Sequence, residues 1–406
     1  MSVLNEPILL DSTGQKIAGL LAQQNGYLSM IAEERRSDIY SSMKQIANIV
    51  RAGTVESNAR VFPIGDQIIV PWVDTDDNNK EYQVAWDIVS HRMVELATGE
   101  TVPGMQLHMH KCSAYGVQFN HSQAFMNCVD GLAAGTYYFS FFSDQTIQFT
   151  LTKDVPAGGY LSGPDNFTTA ESTEWKVKSW YLNRLIDPIE TVSVVVNGTE
   201  GTNLGKLSTS EEPSSDGLNN EEMVFYGHNR WGTSALRQYL NSSGTGWYEN
   251  MEKFDIRPDE YAKHGFMSGF SEDFLSAIKP IKVTTALNTS EGFEDASEDT
   301  YDTFFLPCLE EMNIKPEAPG VEGEVSPYWR ARMGIAQPLN MAYDEEPNQS
   351  DALITLTLDT NTPGFVRLRS ADRESSCSTW YLNPYGDVTS EVASSAARFS
   401  PDCVIC

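Results

Sequence analysis

Basic residues are scarce in this chain. Its 406 residues hold 28 Lys and Arg against 56 Asp and Glu, a formal net charge of −28. Nucleic-acid backbones and anionic lipid surfaces are bound through Lys/Arg footprints, so the deficit argues against both as partners. A strongly acidic surface serves solubility, including solubility at the high local density of a repetitive assembly. Long apolar runs are missing too. Nothing approaches the roughly 18 residues of a membrane span. The opening stretch, residues 1–15, has neither a basic n-region nor a continuous apolar segment, so neither a signal peptide nor membrane insertion is expected. The six cysteines (Cys112, Cys128, Cys308, Cys377, Cys403 and Cys406) are too scattered for a disulfide framework.

Signatures of catalysis are also lacking. There is no Gly-x-Ser-x-Gly elbow, no phosphate-cradling Gly-rich loop and no cysteine in an evident His/Asn context. Three arrangements invite a metal reading, and each has a plain alternative. Cys403-x-x-Cys406 is half of a zinc motif without a second half at ligand spacing. His108 and His110 alternate on one strand face with His121 nearby, as in a cupin-like site, but no Glu follows at the usual distance. The acidic stretch Glu291, Glu294, Asp295, Glu298, Asp299 and Asp302 offers oxygen ligands for Ca²⁺ but lacks the ordered Asp/Asn-Gly spacing of a calcium loop. Ordinary histidines, reduced thiols and a solvated acidic loop account for all three. The expectation is therefore a protein that is not an enzyme and carries no metal or cofactor.

Apolar residues at 40% and aromatics at 11% suffice for substantial cores, and the length suggests two or three domains. Over residues 13–52, Ile17, Leu20, Gln24, Tyr27 and Ile31 step by three and four, and Ile39, Met43, Ile46 and Val50 resume after a charged break. This is either a short oligomerising coiled coil or a helix packed on its own domain. From Val61 the period becomes that of strands. Residues 64–72 read as a strand, residues 135–142 and 146–152 as a hairpin, and residues 191–196 as a further strand, giving a β-rich module. The Gly/Ser/Thr/Asn/Glu-rich residues 199–222 read as a linker. Beyond it lie short helices at 234–240 and 272–278, an irregular acidic region, and strands at 352–358 and 364–369.

Several blocks in this second half carry a family resemblance. Gly227-His-Asn-Arg-Trp-Gly-Thr-Ser-Ala-Leu-Arg-Gln-Tyr-Leu-Asn241 resembles the N-x-W-x-x-S-x-L-R-x-W-L-N signature of a domain family of unassigned function, common in Firmicutes and their phages. Residues 304–310, 366–370, 379–388 and 397–405 are similar to its later blocks, in the same order. Val366 replaces the family's usual Trp, and Phe399-Ser400 replaces Val-Arg before Pro401. Trp231, Leu236, Arg237, Leu240 and Asn241 are assigned to the fold. The closing blocks also resemble the variable proteins of diversity-generating retroelements, such as phage major tropism determinants, whose C-type-lectin-like fold is related to formylglycine-generating enzymes. Those enzymes rely on a close cysteine pair, whereas Cys377 and Cys403 are far apart. Residues 61–72, 102–105 and 116–119 resemble segments of uncharacterised phage virion proteins.

The resemblance implies an α+β, β-rich chain in three parts: a helical oligomerisation or attachment segment (1–55), a β-sandwich-like module (56–205) and a C-type-lectin-like ligand-binding domain (206–406). It implies a phage virion protein, at a tail tip or fibre, that displays a variable surface for host recognition. The expected partners are a host-surface protein or glycan, other virion proteins and copies of itself, as a trimer. The alternatives are a capsid decoration or head-fibre protein and a bacterial surface protein from a lysogen. In such proteins the ligand face lies near the C-terminus, here 372–395. Asn383-Pro-Tyr-Gly386 reads as a turn, which directs Trp380, Leu382 and Val388 inward. The candidate ligand-binding residues are Asp372, Arg373, Ser375, Ser376, Ser378, Tyr381, Asn383, Tyr385, Asp387, Thr389, Ser394 and Ser395, a paratope-like mixture of tyrosine and short polar side chains. Glu374 and Glu391 do not arise by mutating the adenines of an AAC codon, so retroelement templates do not account for them.

Overall fold

In a computed structural model the chain is a β-rich α+β protein. The structure describes residues 42–121, 125–162 (less 129, 142 and 158), 174–185 (less 179, 182 and 183), 190–206, 209–210, 223–224, 228–289 (less 250 and 252–257), 297–333 and 356–406 (less 376, 385 and 386). The apolar positions 17–39 therefore lie outside the described residues, as do Glu291, Glu294, Asp295 and most of the strand expected at 352–358.

Helix α1 (Met43–Ala52) begins where the Ser42 side chain accepts a hydrogen bond from the Gln45 amide, and α2 (Val55–Val61) begins with a reciprocal Thr54–Ser57 capping box. The Asn58 side chain donates to the Val50 carbonyl at 2.8 Å and ties the two together. Strands β1 (Gln67–Asp74), β2 (Lys80–Glu95) and β3 (Thr101–Met109) follow as an antiparallel meander. In the second half come α3 (Ala235–Leu240), α4 (Glu272–Ala277), the hairpin β4 (Ile281–Ala286) and β5 (Ser297–Asp302), β6 (Phe304–Phe305) and α5 (Pro327–Met333). The chain closes with β7 (Val366–Ala371), β8 (Ser378–Leu382), β9 (Val388–Val392) and β10 (Asp402–Ile405).

The principal sheet has the order β1-β2-β3-β10-β6. The last strand of the chain thus lies between an early strand and a middle one, with Asp402 opposite His108 and Ile405 opposite Met105. Trp72 and Trp86 from the first meander meet Phe266, Phe270, Phe274 and Phe304 with ring centroids 5.7–6.5 Å apart. Ile46 and Val50 of α1 enter the same core. This corrects two expectations. The boundary at 205/206 does not separate two domains, because one core and one sheet take residues from both sides of it. The segment 1–55 is not wholly an attachment arm either, because α1 packs on this body. Hydrophobic period reports which face is buried and not which partner covers it.

Between Asn120 and His228 the chain leaves this body and builds a nine-stranded sheet of its own. Among the described residues, that sheet's core (Phe139, Ile147, Phe149, Leu161, Val192 and neighbours) draws on residues 128–204. Exit and return are adjacent, since Asn120 Nδ2 donates to the His228 carbonyl at 2.6 Å. The stretch expected as a linker contributes strand Thr202–Lys206, which pairs in parallel with Gly135–Phe141. The acidic stretch is corrected likewise. Residues 297–302 form β5, where Asp302 is fully buried and accepts from Trp231 Nε1 at 2.9 Å, Thr300 Oγ1 at 2.6 Å and Arg237 Nε at 2.6 Å. Glu298 accepts from Gly232 N and Arg230.

The signature residues of the second half serve this frame. Ser234 caps α3, Trp231, Leu236 and Leu240 are fully buried, and Asn241 latches α3 to β6 through Thr303 N, Phe304 N and Phe304 O. Replacing residues 122–226 by a short Gly/Ser link is expected to leave a cooperatively melting body. A fragment 206–406, which lacks β1–β3, is expected to show no cooperative transition by calorimetry, and Trp86→Ala in the full chain should cost about 3–5 kcal/mol.

Candidate functional site

Strands β7, β8 and β9 form a three-stranded antiparallel sheet that follows the alternation of the sequence. Val366, Leu368, Trp380, Leu382 and Val388 pack beneath it against Leu309, Met312, Ile314 and Trp329. On the other face Arg367, Tyr381 and Thr389 lie in one cross-strand row. The Arg367 side chain is buried. Its two terminal nitrogens donate to Thr379 Oγ1 at 2.7 Å and to the carbonyls of Glu391, Val392 and Ser395 at 3.1, 3.2 and 2.8 Å. Burial pulls this guanidinium down to about 10, so it stays charged at neutral pH. The Tyr381 ring lies over it at 5.8 Å, and Phe365, half exposed, meets Tyr381 edge to face at 5.4 Å. These side chains, with Glu391, Ser395, Ala396 and Ala397, line an open pocket of about 180 Å³.

Of the twelve candidate ligand residues, Tyr381 and Ser395 reach this pocket, while Ser376 and Tyr385 lie outside the described residues. The others are not brought together into one face. Asp372, Arg373 and Ser375 belong to the β7–β8 connection and Ser378 opens β8, and the body holds this stretch firmly. Asn229 Nδ2 donates to the carbonyls of Asp372, Ser375 and Ser378. Arg373 Nε donates to Leu287 O, and Arg373 N donates to Glu317. Asn383 and Asp387 clasp each other across the turn at 2.9–3.0 Å. Thr389 is half-buried, and the Ser394 carbonyl accepts from Gln118. Most of their polar groups serve the chain itself, which an exposed-side alternation cannot reveal, whereas Thr389 Oγ1 is buried without a hydrogen-bond partner among the described residues. Phe365, Arg367, Ala396 and Ala397 were missed. Arg367 had a visible signal, since it alternates with Val366 and Leu368, yet its neighbours in space come from β8, β9 and the stretch that follows β9.

A second constellation has the order of a nucleophilic triad. Asp402 Oδ1 lies 2.6 Å from His108 Nδ1, and His108 Nε2 lies 3.2 Å from Ser400 Oγ. All three side chains are buried, and the Ser400 hydroxyl donates to the Met109 carbonyl. With that proton committed to a backbone carbonyl and all three side chains closed to solvent, the arrangement is a brace between β3 and β10 rather than an activated nucleophile. Burial pushes the Asp402 carboxyl up against the opposing pull of His108.

The other histidines are also engaged. His110 pairs with Asp87 at 2.7 Å, and His121 pairs with Gln118 at 2.7 Å. The Asp87 carboxyl is lowered overall. Burial opposes that shift, and hydrogen bonds from His110 and Gln67 outweigh it. Among the described residues no group of three or more His, Cys, Asp or Glu side chains is arranged to hold a metal. Cys403 and Cys406 are core residues. Burial raises both thiols, Cys406 to about 11, and so keeps them protonated.

Residues 208–404 match the family model of a domain of unknown function, DUF6273. The match begins within the inserted module and ends in β10, so it contains the β7–β9 sheet and omits β1–β3, which complete its principal sheet. Searches of curated proteins and of solved structures returned no match. Among the described residues no helix is long and apolar enough to cross a membrane.

Two outcomes follow from these contacts. Asn229→Ala removes the amide donor shared by the Asp372, Ser375 and Ser378 carbonyls under the β7–β8 connection and should lower stability by roughly 1–3 kcal/mol in denaturant titration. Burial lowers the pKa of His91, against the opposing effect of its 2.7 Å bond to the Phe62 carbonyl. The unfolded chain therefore takes up that proton first as pH falls below about 6.5, and stability declines there. His91→Gln should flatten that part of a melting-temperature profile.

Proposed function

We propose that this chain is a phage virion protein, of a tail tip or fibre, that binds the host surface through the β7–β9 face. The observation that carries the reading is the open pocket at Phe365, Arg367 and Tyr381. Two aromatic side chains are partly exposed there over a buried cation, on a sheet locked from below by an apolar core. Rigid amphipathic rings on a fixed frame lose little entropy on binding, as in a paratope. The resemblance of the closing blocks to C-type-lectin-like variable proteins supports the same assignment. Glu391 lines the pocket, so the recognition proposed here includes a position that retroelement mutagenesis of AAC does not supply. The acidic charge suits display at high density on a particle. Binding, and not turnover, is the proposed activity.

Labelled full-length protein should attach to cells of the bacterium that carries the gene or its phage. Phe365→Ala and Tyr381→Ala should each abolish most of that attachment. Phe365 is half exposed, so its loss should change stability by less than about 1 kcal/mol. Attachment that persists in both variants at wild-type strength would place recognition elsewhere on the molecule.

A further inference from the structure

We infer that the pocket between Phe365, Tyr381 and Glu391 holds one neutral pyranose ring of a surface glycan, an inference that rests on the binding reading above. Size comes first. About 180 Å³ is below the roughly 300–1,000 Å³ of pockets for drug-sized ligands, so the occupant is one small ring or the end of a chain and not a folded epitope. Ala396 and Ala397 lie among the lining residues, and such small side chains leave the space open.

Charge narrows the chemistry. The buried Arg367 guanidinium repels a cation. Four of its five N–H donors are spent on Thr379 and backbone carbonyls, and Nε, the fifth, is buried without a hydrogen-bond partner. A bidentate clamp for a carboxylate or phosphate is therefore not available. The exposed Glu391 carboxylate and the chain's net charge of −28 further disfavour an anion. A neutral polar ring remains.

The polar and apolar groups are placed for such a ring. Tyr381 and Phe365 meet at an interplanar angle of 62° and form an aromatic corner. The C–H-bearing side of a pyranose, slightly positive, packs on the electron-rich face of an aromatic ring. At the rim, Glu391 Oε1 accepts from Val392 N and Ser395 Oγ, while Oε2 makes no hydrogen bond among the described residues and is open to sugar hydroxyls. Aromatic face, open carboxylate oxygen and adjacent hydroxyl together match a polyol with one apolar side.

The probes are the methyl glycosides of glucose, galactose, mannose and N-acetylglucosamine, with methyl glucuronide as the anionic control, presented to the full chain in saturation-transfer NMR. At least one neutral glycoside should receive transfer at its ring protons. Its affinity should fall at least tenfold in Tyr381→Ala and in Ala396→Leu, which fills the pocket without touching its aromatic wall, and should be largely kept in Tyr381→Phe. Melting of each variant near the parent value establishes that the fold is intact, and Ala396→Leu carries the test should Tyr381→Ala unfold. Absence of transfer to every neutral glycoside, transfer unchanged by Ala396→Leu, or preference for methyl glucuronide over methyl glucoside overturns the proposal. Cell attachment separates this from the broader reading. Tyr381-dependent attachment without sugar transfer sinks the pyranose alone, whereas sugar transfer without attachment sinks the host-recognition role and leaves the pyranose site standing.

Discussion

The fold depends on the placement of β10 between β3 and β6. Cys403, Val404 and Ile405 are fully buried there, and their backbone groups pair with strands that come from opposite halves of the chain. A central strand is satisfied on both edges and covered on both faces, so its burial is worth more per residue than that of an edge strand. Asp402, His108 and Ser400 then form a polar brace across the same junction, fully paired and closed to solvent. A buried network of that kind fixes one register, since a slip by one residue would bring Asp402 to the apolar face.

The rest of the architecture follows from that junction. The chain runs from β3 to Asn120, departs into the inserted module and returns at His228 beside its exit, so the module adds a second core without interrupting the first. The return leg delivers Asn229, Trp231, Ser234, Arg237 and Asn241. Asn229 secures the β7–β8 connection, Trp231 and Arg237 both hold Asp302, Ser234 caps the start of α3, and Asn241 secures β6. A conspicuous sequence motif is here a set of structural fasteners. The pocket lies on the face of the β7–β9 sheet opposite its apolar core, where Phe365 remains half exposed.

Arg367 and Arg369 show how one sequence pattern reaches two outcomes. They alternate on β7, and both are buried. Arg369 meets Glu311 at 2.7 Å in a closed ion pair whose carboxyl the guanidinium holds below its ordinary range, against its burial. Arg367 has no ion pair among the described residues and is neutralised by carbonyl dipoles, with an aromatic ring on its open side. The first arrangement is cohesion. The second leaves a polarised floor beneath an opening, which is what a binding pocket requires.

Much of this was legible in the residues. Apolar period and turn signals located α1, α3, α4 and the β7–β9 strands, and alternation placed Trp380, Leu382 and Val388 in the core. Helix α2 was overlooked, although Thr54-x-x-Ser57 carried its capping signal. These features are local, because a backbone needs only its own side chains to choose a helix or a strand face. Which strands are neighbours was not legible. Nothing near residue 403 names residue 107 as its partner, and nothing between 120 and 228 marks an excursion. Those choices are made by the summed burial of Trp86, Phe304, Val404 and their neighbours, to which distant segments contribute equally. The pocket belongs to the same class. Tyr381 and Ser395 could be nominated from composition, but Phe365, Arg367 and Glu391 join them only once three strands are in register. The chain by itself determined its elements, its acidic surface and its buried faces. Tertiary pairing decided the domain boundaries and the site, because both are made of contacts between residues far apart in sequence.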